Sequence, residues 1–126
     1  RAQDREYPKA GKVYLAPPDY HLQVEGKQLR LRSTEQVSYQ RPSGTVLLRS
    51  IAESYGAQSL GVVLTGMGED GASGLRNIYD AGGHTIAEDE STAVVYGMSA
   101  VAVQLKAVHD LLPLPSIAPR LIDLLQ

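Results

Sequence analysis

Two short runs near the front of the chain alternate apolar and polar residues. They are His21-Leu22-Gln23-Val24-Glu25 and Gln28-Leu29-Arg30-Leu31-Arg32, with Gly26-Lys27 between them. A period of two on either side of a two-residue turn predicts a β-hairpin with one wet face. Ahead of it, Lys12-Val13-Tyr14-Leu15-Ala16 reads as a short strand stopped by Pro17-Pro18, and residues 1–11 read as a polar lead-in or linker. Ser33 to Ser43 reads as a loop. The period then changes. Leu47, Leu48, Ile51, Ala52 and Tyr55 fall on one face at helical spacing, with Gly56 as the stop. Leu60 to Leu64 is nearly all apolar, the pattern of a strand buried on both faces of a parallel sheet. A second helical face follows at Ala72, Leu75, Ile78 and Tyr79, ended by Gly82-Gly83, and His84 to Ala87 reads as the next strand. Ser99 is positioned to cap a helix through Lys106, and Val108 to Leu112 reads as a last strand. Ser116 is positioned to cap a terminal helix with Pro119 in its first turn. Strand and helix alternate from residue 45 onward, which argues for an α/β layer fold with a parallel sheet.

Composition narrows the class. At 126 residues and 13.6 kDa the chain is one domain's worth, with 43% hydrophobic and 21% charged residues. It has no cysteine, so a disulfide scaffold and a cysteine zinc site are excluded, and a reducing, cytoplasmic setting fits. No apolar run approaches the roughly 18 residues of a membrane span, so membrane insertion is not expected. Residues 1–49 carry nine Lys and Arg against five Asp and Glu, a net +4; residues 50–126 carry three against nine, a net −6. The plainer reading of that asymmetry is a solvated mixed surface. Nucleic acid is not an expected partner, because no basic run is interleaved with aromatics.

The chemistry concentrates in Leu64-Thr65-Gly66-Met67-Gly68-Glu69-Asp70-Gly71. Gly66-x-Gly68-x-x-Gly71 matches the dinucleotide fingerprint, and Glu88 lies where a ribose-binding acid belongs. Electrostatics argues against that use. Glu69 and Asp70 occupy the loop that would face a pyrophosphate, and two like charges at ~4 Å repel by about 4 kcal/mol at an effective dielectric near 20. The alternative centres on Asp70. It sits at the carboxyl end of a buried strand, where ligands bind in open α/β sheets, and just before a helix. A helix N-terminus favours an ionised carboxylate. Two roles stay open for Asp70 on spacing alone: an ordinary N-cap, which is the plainer one, and the carboxylate that orients a histidine in a Ser-His-Asp triad.

The segment Val62-Val63-Leu64-Thr65-Gly66-Met67-Gly68-Glu69-Asp70-Gly71-Ala72-Ser73-Gly74-Leu75 closely resembles the catalytic domain of the chemotaxis protein-glutamate methylesterases. Further matches run in order: Val13 to His21, Arg41-Pro42-Ser43, Ala81 to Glu90, and Val94 to Met98. The resemblance covers residues 12 to about 125. It implies a three-layer, doubly wound α/β domain with a mainly parallel sheet and an antiparallel β-hairpin. It implies hydrolysis of glutamyl methyl esters on chemoreceptors, with glutamine deamidation in many members, and no metal or organic cofactor. The implied partners are the cytoplasmic helices of methylated chemoreceptors, with a receiver domain in front of many relatives. Asp70 is the implied triad aspartate. Gly66, Met67 and Gly68 are implied to line the active site, where a backbone N–H helps to hold the oxyanion, and Arg41-Pro42-Ser43 is a substrate or structural motif.

The departures matter as much. The family's nucleophilic serine and catalytic histidine precede the first matched motif. None of the ten serines lies in Gly-x-Ser-x-Gly, and His21, His84 and His109 read as surface or structural histidines. An acid is expected near Thr45, a histidine where Gln40 stands, and a proline where Ser99 stands. The chain also begins at Arg1 rather than Met. Residues 12–126 are therefore expected to be the C-terminal two-thirds of a methylesterase domain, inactive alone and prone to associate through an exposed sheet edge. The competing expectation is a non-catalytic binding module derived from the same fold; dinucleotide binding ranks third.

Overall fold

The computed structural model describes residues 1–37 and 39–126. The hairpin forms as its alternation dictates. Strands β1 (His21–Glu25) and β2 (Gln28–Arg32) pair antiparallel with Leu22 opposite Leu31 and Val24 opposite Leu29. Leu22, Val24 and Leu29 are buried, while Arg30 and Arg32 reach outward to Glu25.

Helix α1 (Gly44–Tyr55) has two working faces. Leu47, Ile51 and Tyr55 pack on the hairpin, and Leu48 packs on the core of the parallel sheet. Its ends follow from its sequence. Ser43 caps the start by accepting the Val46 N–H at 3.3 Å, and Gly56, at φ 55°, turns the chain out. Two serines tie it to β1: Ser50 Oγ accepts the Val24 N–H at 2.9 Å, and Ser54 Oγ donates to the Val24 carbonyl at 2.8 Å.

The larger sheet is parallel, in the order β3 (Leu60–Val63), β4 (His84–Glu88), β5 (Asp110–Leu112). Helix α2 (Ala72–Asp80) crosses from β3 to β4 and buries Ala72, Leu75 and Ile78. It lies so close to β3 that a Cβ on Gly61 would stand 2.8 Å from both Leu75 Cδ1 and Ile78 Cδ1. Helix α3 (Met98–Gln104) packs against α2, and helix α4 (Leu114–Leu124) packs against β4. Among the described residues β3 is an edge strand. The α/β fold with its mainly parallel sheet and antiparallel hairpin is thus as expected.

Three local expectations fail. Residues 12–16 form no strand. Val13 is 89% and Leu15 63% exposed, and a single bond, Ala2 N–H to the Leu15 carbonyl at 2.8 Å, stands where a ladder was expected. Alternation makes a strand only when a neighbouring strand supplies the pairing. Ser99 does not cap α3. The cap is Gly97, and Ser99 lies inside the first turn, fully buried, its hydroxyl unpartnered among the described residues. Ser116 does not cap α4 either. The cap is Pro113, Pro115 sits in the first turn, where its missing N–H costs little, and Pro119 falls inside the helix rather than in that turn. Among the described residues, no helix is long and apolar enough to cross a membrane.

Candidate active site

The β3–α2 turn carries Asp70 to the carboxyl end of the parallel sheet, as the strand–loop–helix pattern requires. Its carboxylate does not cap the helix it precedes. Helix α2 has Gly71 as its N-cap, with no side-chain capping bond. Asp70 reaches instead to the N-terminus of α1. Oδ2 accepts the Gly44 N–H at 2.8 Å, and Oδ1 accepts the Thr45 N–H at 3.3 Å and the Ser43 hydroxyl at 2.5 Å. Thr45 returns the favour across the same gap, its Oγ1 accepting the buried Gly71 N–H at 2.8 Å. Asp70 therefore closes a helix N-terminus, but that of a helix 26 residues back in the chain.

Behind Ser43 stands His21, completely buried. Its Nδ1 accepts the Ser43 N–H at 3.2 Å, so the ring proton is on Nε2, which donates to the Glu35 carbonyl at 2.8 Å. In front of Asp70 opens a cleft of about 420 Å³, walled by apolar residues that include Leu47, Val62, Leu64, Met67 and Met98.

The other expected site residues fall around this centre. Met67 is 84% exposed at the mouth of the cleft, and among the described residues its N–H and that of Gly68 bond to nothing. Gly68 has φ 81°, a left-handed turn that glycine adopts freely. Gly66 is anchored by its neighbours: its N–H donates to the Val95 carbonyl, and its carbonyl accepts from Gly97 and Met98. Ser43 meets Asp70. Arg41 does not: its Nη1 donates to the Thr34 carbonyl at 3.0 Å, and Pro42 follows it through a cis peptide bond. Of the positions that depart from the family, Thr45 and Ser99 are buried, Thr45 within the bonds that join α1 to the Asp70 turn; Gln40 lines the cleft.

Sequence reasoning missed the partnership of His21, Ser43 and Thr45 with Asp70. The one local signal was a serine just ahead of a helix, which marks a cap but does not name a partner 27 residues away.

A second cluster gathers at the opposite, amino end of the sheet. His84 Nε2 and Arg120 Nε both bond Asp110 Oδ2, at 2.7 and 2.8 Å. The His109 ring stacks between Tyr79 and His84, with centroids at 4.3 and 4.7 Å. The Arg120 hydrogen bond, seconded by His84, holds the Asp110 carboxyl below its ordinary value. Loss of solvent, and then the nearby His84, lowers His109. Among the described residues, no three His, Asp or Glu side chains are grouped to share a metal ion.

Comparison with known proteins agrees with the motifs. Residues 1–121 match the CheB methylesterase family. A protein-glutamate methylesterase/protein-glutamine glutaminase 2 of Paramagnetospirillum magneticum is 54% identical over 98% of this chain, and one from Myxococcus xanthus, numbered 4, is 46% identical over 95%. This chain spans 35% and 34% of those two relatives. The crystal structure of the Thermotoga maritima CheB methylesterase catalytic domain superimposes with a TM-score of 0.92 at 35% identity, over 98% of this chain and 67% of that one. The chain belongs to the CheB methylesterase family.

Proposed function

We propose that this chain is the aspartate-bearing part of a serine-type carboxylic-ester hydrolase that demethylates glutamyl methyl esters, and deamidates glutamines, on the cytoplasmic helices of chemoreceptors. The observation that carries the reading is Asp70. It stands at the carboxyl end of β3, beside an apolar cleft, and is gripped by three donors that leave one carboxylate lone pair for another group. That is the requirement for an acid that orients a histidine without itself taking the proton.

In the complete domain a serine attacks the ester carbonyl while a histidine takes its proton. Asp70 holds that histidine's tautomer and steadies the imidazolium. The N–H groups of Met67 and Gly68, free among the described residues and in a turn anchored by Gly66, face the developing oxyanion. Methanol leaves with the proton returned by the histidine, and water then cleaves the acyl-enzyme. The serine and histidine come from residues outside these 126, and neither metal nor organic cofactor takes part. Arg41-Pro42-Ser43 serves as structure more than as a substrate contact, with Ser43 at the carboxylate. The setting is cytoplasmic, and a receiver domain in the parent chain is the expected regulatory neighbour.

The test is Asp70→Asn in the intact protein. Methanol release from methylated receptor should fall by about 10⁴-fold, the scale of an aspartate-to-asparagine change in a serine-hydrolase triad. Unchanged release rejects the assignment, and a parent protein without a serine nucleophile leaves the binding-module reading in its place.

A further inference from the structure

We infer that Ser43 is a positioning residue for this reaction, through the hydrogen its hydroxyl gives to Asp70; the inference rests on the reading of Asp70 as the orienting carboxylate. The wiring permits one arrangement. Ser43 sits 2% exposed in extended backbone, φ −110° and ψ 130°, at the head of α1. Its N–H is committed to His21 Nδ1, and His21 is itself held from behind by the Glu35 carbonyl. Its Oγ accepts the Val46 N–H. A hydroxyl has a single hydrogen, and it points at Asp70 Oδ1 across 2.5 Å.

Capping and positioning are thus separate jobs of the same oxygen. The cap uses a lone pair; the positioning uses the hydrogen. The Gly44 and Thr45 N–H groups fix where the carboxylate sits along α1, one on each oxygen. The Ser43 hydroxyl is the one side-chain donor of the three. It shares Oδ1 with Thr45, which leaves the free lone pair on Oδ2, the oxygen that takes Gly44 alone. Without that hydrogen the two backbone donors remain, so Asp70 stays in place, but its Oδ1 is held only by the long 3.3 Å bond from Thr45 and the carboxylate is positioned more loosely. The resulting loss should be smaller than loss of the acid itself.

The experiment uses the intact protein with methylated receptor, following methanol release across pH. Ser43→Ala should lower kcat by about 10- to 100-fold, the cost of loosening a positioned group by a fraction of an ångström to an ångström, with KM within about twofold. The acid limb of kcat/KM should move to lower pH, because a loosely held carboxylate stabilises the imidazolium less. Ser43→Thr, which keeps the hydroxyl, should restore most of the turnover and the parental limb. Ser50→Ala, a buried change on the same helix away from the carboxylate, should lower stability while moving neither kcat nor the limb. If Ser43→Ala does not fold, Ser43→Gly carries the comparison, since an N-cap tolerates glycine far better than alanine. Parental kcat and pH limb in the folded Ser43 variant, beside an inactive Asp70→Asn, overturn the inference and leave the proposed function standing. Parental turnover in Asp70→Asn overturns both.

Discussion

The two ends of the parallel sheet each hold a carboxylate in one network with histidine, one ring at the carboxyl end and two at the amino end, and they treat the carboxylate in opposite ways. At the amino end Asp110 faces a permanent cation, Arg120, and a histidine, both on the same oxygen. At the carboxyl end Asp70 faces no cationic side chain among the described residues; its three partners are two backbone N–H groups and a hydroxyl. A carboxylate neutralised by a guanidinium is committed to that pair. A carboxylate held by neutral, rigidly placed donors keeps its charge available to whatever docks beside it. The sheet thus has a structural acid at its amino end and an unneutralised acid at its carboxyl end.

Removing one charge at each end is the strongest way to break this contrast. The Asp70→Asn loss of about 10⁴-fold has no counterpart in Asp110→Asn, which should keep turnover within about twofold. The amino-end change should appear in stability instead. Because Arg120 and His84 hold the Asp110 carboxyl below the ordinary ~3.9, its ionised form is favoured in the folded state, and the stabilisation is complete above that value. It is lost as pH falls through the lower folded-state value. In urea titrations of the intact protein, Asp110→Asn should be less stable than the parent at pH 7 by at most about 1 kcal/mol, and the gap should close toward pH 3. A matching collapse of turnover in both variants would erase the distinction between the two ends.

Next in size is the packing that holds the carboxyl end. A Cβ on Gly74 would stand 2.8 Å from Leu48 Cβ, 2.9 Å from Thr45 Cα and 3.0 Å from the Thr45 carbonyl. Glycine to alanine inside a helix ordinarily stabilises by about 1 kcal/mol. Here the sign should reverse, with a cost of about 1–3 kcal/mol as α2 is pushed off α1. The displaced groups are those that hold Asp70, so turnover should fall along with stability while the amino-end response to pH stays put. A Gly74→Ala variant as stable and active as the parent would mean that the two helices are not pressed together at the site.

The parts legible in the sequence were those written in local periodicity. The hairpin and the apolar stripe of α1 formed where the pattern put them; the apolar run at 60–64 formed its strand over Leu60–Val63, but, among the described residues, as an edge strand with Leu64 exposed rather than one buried on both faces. The failures share a different cause. Lys12 to Ala16 alternates like a strand, yet strand formation depends on a partner that no local pattern names. Ser99 and Ser116 look like caps, yet Gly97 and Pro113 cap their helices two and three residues earlier. The position of Asp70 at a strand's carboxyl end was legible. Its partners were not, because the fold, rather than spacing, brings the head of α1 to the β3–α2 turn.

The smallest effect sharpens the amino end. His109 Nδ1 accepts both the N–H and the hydroxyl of Thr85, at 3.1 and 3.0 Å, an arrangement open only to the neutral ring. The groups around that ring are Tyr79 from α2, itself covered by Arg76, His84 from β4, neighbouring Asp110, and Arg120 from α4 through that same carboxylate. Desolvation and His84 outweigh Asp110, and the folded-state value is lowered from about 6.5. The unfolded chain therefore binds the proton first. The stabilisation is complete above about pH 6.5 and is lost as pH falls through that value toward the folded one. His109 is exposed along part of its surface, so solvent screens the effect and the slope should be shallow. His109→Gln, whose carbonyl oxygen can still accept from Thr85, should flatten the decline in stability between pH 7.5 and 5.5 and leave turnover near the parental level. An unchanged slope would assign the acid sensitivity to other groups and leave the amino end with Asp110 alone as its titrating centre.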